Sequence, residues 1–120
     1  MARRDLTGAV DFAYLESYAA HDQAIIEEVL GLFREQASLW SRLLDQSGDA
    51  QTWRDAVHTL KGSARGIGAQ GLAAACATAE SHAEQLPAVR DALDMVLADI
   101  AAYLHEQALR SLKSGAIRST

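Results

Sequence analysis

Apolar residues recur at steps of three and four along almost the whole chain, and that period decides the fold class. Trp53, Val57, Leu60, Ala64 and Ile67 step by four, three, four and three, which places them on one face of a helix. Ile25 or Ile26, Val29, Phe33, Gln36, Trp40 and Leu43 form such a row before it. Leu72, Cys76, Ala79, Ala83 and Leu86, then Leu93, Val96, Leu97, Ile100, Tyr103 or Leu104, and Ala108, form two after it. Strand formers are not clustered, and the single proline is Pro87. The rows are cut at His21–Asp22, at Ser47–Gly48–Asp49, at Gly68 and at Pro87, so no run is long enough for an extended coiled coil.

The expectation is an all-α single domain: an up-down-up-down four-helix bundle with a short additional N-terminal helix over one end. Asp11, Asp22 and Asp49 are placed to cap the first three helices, which begin after them; the second reaches about Gln46. Gly48 and Gly68 suit left-handed helix ends. The fourth helix spans Ala69 to Gln85, and the fifth starts near Ala88, with Pro87 tolerated in its first turn. The ordered core covers about 11–112, leaving residues 1–10 as a loose lead-in and the tail SGAIRST to fray. Gln36 is the misfit of the second row, and belongs either at the edge of an interface or in a hydrogen bond.

Composition then removes several function classes. At 120 residues and 49% hydrophobic content the chain can bury a core without metal or disulfide support. A net charge of −5 argues against general nucleic-acid binding, which needs a broad basic face. Cys76, the sole cysteine, reads as a small buried residue in a reducing compartment. No run approaches the length of a membrane span and no leader is evident, so a soluble, cytoplasmic protein is expected.

The outward face of the third helix is the unusual one. It carries Arg54, His58, Lys61, Gly62 and Arg65, so a histidine stands among cations with a glycine one turn after it. Glycine inside a helix costs about 1 kcal/mol relative to alanine, which points to a need for space beside the imidazole.

The string HTLKGSARGIGA, with His58, Leu60, Lys61, Gly62, Ser63, Gly68 and Ala69 at the matching positions and Leu72 and Glu80 continuing the match, resembles histidine-containing phosphotransfer (HPt) domains. The resemblance implies that His58 accepts a phosphoryl group from the aspartate of one response-regulator receiver domain, or of a hybrid sensor histidine kinase, and passes it to another. A neutral imidazole suits that role, since one ring nitrogen attacks while the other donates a hydrogen bond. Lys61 reads as an electrostatic partner for phosphoryl oxygens or for the acidic site of the partner. Glu80 is either the acceptor that orients His58 or a solvated carboxylate. Ser63 either closes the helix pair with a hydrogen bond or is there for its size. Arg54 and Arg65 either touch the partner or are ordinary surface arginines.

No nucleotide loop and no magnesium-holding acidic cluster is present in the sequence, so no autonomous kinase activity and no cofactor of its own are expected, and Mg²⁺ belongs on the partner receiver domain. A monomer is expected, because one chain supplies all four bundle helices. Two other readings compete. A helical adaptor would bind a partner without phosphoryl chemistry. A metal-binding bundle would use the Asp55/His58 pair at i, i+3, but both lie outward and no second such pair exists.

Overall fold

The structure, a computed structural model, describes the backbone of residues 8–118 and the side chains of residues 8–113. Five α-helices follow in order: α1 Phe12–Tyr18, α2 Gln23–Leu43, α3 Ala50–Gly66, α4 Gln70–Ala79 and α5 Leu86–Arg118, with one 3₁₀ turn, Ala83–Gln85, before the last. No strand occurs among the described residues. Around the bundle, α2 packs on α3 and α5, and α4 packs on the same two helices from the other side, so the four-helix bundle is as expected.

The caps follow the sequence. Asp11, Asp22 and Asp49 each accept a hydrogen bond from a backbone N–H in the first turn of the following helix. Gly68 takes φ +81°, and its carbonyl accepts the Asp11 N–H at 3.0 Å, which pins the start of α1 to the α3–α4 turn. A Cβ there would come within 3.0 Å of the Asp11 carbonyl oxygen, so both backbone angle and space require glycine. Gly48 is not left-handed; its N–H bonds the Asp45 carbonyl in a tight turn.

On α3 the buried row is Trp53, Val57, Leu60 and Ala64, continued by Ile67. On α2 the inward row is Ile26, Leu30, Phe33, Ala37, Trp40 and Leu44; Gln36 is exposed, and Val29 and Leu43 are only half-buried. Ile26, Phe33 and Trp40 thus stand as expected, whereas Leu30, Ala37 and Leu44 take the inward places expected for Val29, Gln36 and Leu43, each one residue on. Helix α4 stops at Ala79 rather than Gln85, because the Ser81 and His82 N–H groups bond carbonyls three residues back and tighten the chain into a turn. Helix α5 runs on to Arg118, so the backbone of 114–118 is helical where fraying was expected. Expectations for residues 1–7 lie outside the described residues, but Val10 of the lead-in is buried and its N–H donates to the buried Asp99 carboxylate at 3.3 Å.

Helix α1 lies over one end of the bundle, with Phe12 stacked on Tyr103 at 4.3 Å. The Tyr103 hydroxyl donates to Glu16 Oε2 at 3.0 Å. The chain leaves α1 through a Schellman turn: the His21 N–H bonds the Glu16 carbonyl and the Ala20 N–H bonds the Ser17 carbonyl. That turn puts Ala20 at φ +55° and His21 at φ +61°, where a Cβ is strained by roughly 1–2 kcal/mol. Ala20→Gly should therefore be stabilising by about 0.5–1 kcal/mol, raising the thermal midpoint by roughly 2–5 °C. A lower midpoint in calorimetry would show that the turn carries no strain.

Candidate functional site

Helix α3 carries its buried row against the bundle and turns the opposite side to water. His58 lies on that outer side, its side chain 74% exposed. It is nevertheless held: Glu80 Oε2 lies 2.9 Å from His58 Nδ1. The other oxygen, Glu80 Oε1, accepts from Lys61 Nζ at 2.7 Å. One carboxylate therefore clips together two α3 side chains a turn apart.

The clip follows from the helical hairpin. Three residues, Ile67 to Ala69, join α3 to α4, and alanines at 64, 73 and 79 let the two helices approach closely. The chain returns in 22 residues to the level of His58, where Glu80 caps the C-terminal end of α4. That is the wrong helix end for an acid, because the last carbonyls already carry partial negative charge. Local preference is overridden here by the contacts to Lys61 and His58. They hold the Glu80 carboxyl below its usual range, the Lys61 hydrogen bond being the larger cause and the His58 bond the next.

An ionised carboxylate can only accept, so the Nδ1 of a neutral His58 carries the proton and Nε2 keeps the lone pair. The arrangement is an oriented, solvent-accessible nitrogen nucleophile. Lys61, only 16% exposed in its side chain, is engaged with Glu80. Gly62 stands one turn after His58 with nothing within 4 Å of where a Cβ would be.

The other predicted site residues take no part in the clip among the contacts seen. The Arg54 guanidinium lies 5.2 Å from the centre of the Trp53 ring, and Arg65 is exposed in the last turn of α3. Asp55 accepts from Gln51 Nε2 at 2.7 Å, a bond within its own helix. Ser63 is half-buried, its side chain in the wall of a groove between α2 and α3. That groove, formed by Leu32, Gln36 and Trp40 facing Thr59, Ser63 and Gly66, is the feature that sequence reasoning missed. Its signal was the seven-residue spacing of Ile25, Leu32 and Leu39, which are all exposed. Cys76 is buried, and desolvation pushes its thiol up to about 11, which leaves it inert as a nucleophile near neutral pH.

A family model for the Hpt domain matches residues 14–114. The crystal structure of the histidine phosphotransferase ShpA from Caulobacter crescentus is similar, with a TM-score of 0.82 and 60% sequence identity, covering 88% of this chain and 99% of that one. No curated protein matches the chain.

Proposed function

The chain belongs to the Hpt domain family, and from that premise we propose that His58 accepts a phosphoryl group from a receiver-domain aspartate and passes it to another. The observation that supports this reading best is the Glu80 clip, which holds an exposed histidine in one tautomer with Nε2 left for attack. Family membership makes it a phosphorelay intermediate in general terms, a carrier rather than a kinase. The finer proposal is that a receiver domain or hybrid sensor kinase brings the aspartate and Mg²⁺ to a cytoplasmic, monomeric carrier. Among the described residues no helix is long and apolar enough to cross a membrane.

The division of labour is then simple. In the transfer step the P–O bond to the aspartate breaks as the P–N bond to Nε2 forms, and the carboxylate leaves with the electron pair. Glu80 compensates the positive charge that develops on the imidazole, and Lys61 keeps Glu80 ionised and in place. Arg65 and Arg54 extend the positive surface that meets the acidic receiver site, and Ser63 leaves room beside it. Incubation with a receiver domain charged with labelled phosphate should produce a label that is labile in acid and stable in base, as a phosphoramidate is. A label with the opposite stability would refute the reading.

Glu80 is a positioning residue, and Glu80→Gln tests it. The variant keeps shape but loses the charge that fixes the tautomer. Transfer should slow by about 10- to 100-fold, the range expected when a nucleophile is misplaced, while the concentration of receiver needed for half-saturation stays unchanged. The carboxyl's lowered range sets the pH dependence: the clip persists through mild acid and is lost as the pH falls through that lowered value. A change in half-saturation with an unchanged maximal rate would make Glu80 a docking residue instead.

A further inference from the structure

Helix α5 is apolar on both sides. Its inner row, Val89, Leu93, Val96, Ile100 and Tyr103, is at most 1% exposed and fills the core. A second row, Met95, Ala98, Ala102, His105, Leu109 and Leu112, steps by three, four, three, four and three along the outside. Met95, Leu109 and Leu112 are 49%, 49% and 69% exposed, an aligned set rather than scattered single residues. Between Met95 and Leu109 the only exposed titratable residue is His105, because Asp99 and Glu106 are buried. A face that met only water would carry charges there, as the outer side of α2 does with Glu27, Glu28, Arg34 and Glu35.

The two ends of this row decide what covers it. Exposed Asp91 and Asp94 stand at its N-terminal end; exposed Lys113 stands at its C-terminal end with Arg110, which also lies 3.8 Å from Glu106. Alternating steps of three and four are the spacing of a seam between two helices. Two such rows laid antiparallel put the acidic end of each on the basic end of the other, whereas a parallel pairing sets like charges together. The antiparallel register that matches the rows end to end sets Met95 opposite Leu112, Ala98 opposite Leu109 and Ala102 opposite His105 of the other copy, so alanines make room for the larger residues in two of the three kinds of layer. We infer that the outer face of α5 docks the same face of a second copy of this chain, antiparallel and about a two-fold axis.

The pairing is weak, and it stands whether or not His58 takes a phosphoryl group. One helix against one helix buries less than the roughly 1,200 Å² of a stable interface. The dilute carrier therefore stays a monomer, and copies pair at roughly 0.1–1 mM. His105 lies beside the two-fold axis, one polar residue in an otherwise apolar seam, and disfavours registers that bury it against leucine. Helices α3 and α5 stand at opposite corners of the bundle, since α2 and α4 each pack between them. Both His58 side chains consequently remain on the outside of the pair, and two acceptors face in opposite directions.

Sedimentation equilibrium of the full chain, from about 10 µM to about 1 mM, tests this. The expected result is a monomer at the low end and a monomer–dimer equilibrium at the high end. Leu112→Glu should leave a monomer throughout, because pairing would bury its charge. His105→Leu should tighten pairing by about tenfold. Asp94→Lys should weaken it by about fivefold, and adding Lys113→Glu to the same chain should restore it. All four positions are exposed, and melting curves would verify folding of each variant. A chain that is monomeric at every concentration, or a dimer that Leu112→Glu leaves intact, overturns the inference. Failure of Lys113→Glu to restore pairing overturns the antiparallel arrangement on which it rests. Slower phosphoryl transfer by Leu112→Glu at micromolar concentration would give the face to a receiver domain and overturn its assignment to a second copy.

Discussion

A His58→Gln chain is expected to take no label from any phosphorylated receiver domain, while its helicity and melting temperature stay at the parent values. The loss is complete because the amide that replaces the imidazole has no nucleophilic lone pair. Stability is unaffected because the His58 side chain is 74% exposed and contributes nothing to the buried row of α3. Glu80, left without its imidazole partner, retains Lys61. His21, His82 and His105 are also exposed, so a label that persisted on the variant would move the acceptor to one of them. His82 already uses Nδ1 on the Thr78 carbonyl at 3.2 Å, and no carboxylate contact of the kind made at His58 is seen there among the described residues.

The second large effect is at Gly62, where stability and function should move in opposite directions. A Cβ at this position would meet nothing within 4 Å, so alanine or glutamine fits the folded helix without strain. Removing glycine from an exposed helix interior stabilises by up to about 1 kcal/mol. Gly62→Gln should therefore melt no lower than the parent, and Gly62→Ala slightly higher. Phosphoryl transfer should fall by roughly a hundredfold in the glutamine variant, because its side chain occupies the approach to His58 and a shift of about 1 Å in the attacking distance suffices for such a loss. Alanine should be intermediate. Equal rates in all three chains would show that the glycine clears no path, and a drop in melting temperature would show that Gly62 is packed rather than open.

The pattern of residues reveals most of the fold, and the reason is visible helix by helix. Asp11, Asp22 and Asp49 announce helix starts by a local mechanism that needs no tertiary knowledge. The α3 row is unambiguous because its neighbours on the other face are charged. On α2 periodicity cannot decide, since Ile25 and Ile26, Val29 and Leu30, and Leu43 and Leu44 are adjacent apolar pairs and two rows run in parallel. The expected row mixed the two, taking Phe33 and Trp40 from the inner row and Val29 and Gln36 from the outer, and so left the groove beside the site unseen. The end of α4 is equally silent, because its alanine-rich sequence favours helix on both sides of Glu80 and only backbone turn bonds stop it there. His58 and Lys61 are legible as a polar, basic face, but their shared carboxylate depends on the register between two helices, which one strand of text does not contain.

The clip lies entirely within the α3–α4 hairpin, between residues only 19 to 22 apart in sequence. Its geometry is therefore set within one helical hairpin and uses no residue of α1, α2 or α5. Amide hydrogens around Leu60 and Cys76, both fully buried, are expected to exchange slowly. A fluctuation that loosened α1 or the end of α5 would leave the contacts of Glu80 with His58 and Lys61 assembled, so the candidate site would keep its shape while its surroundings moved.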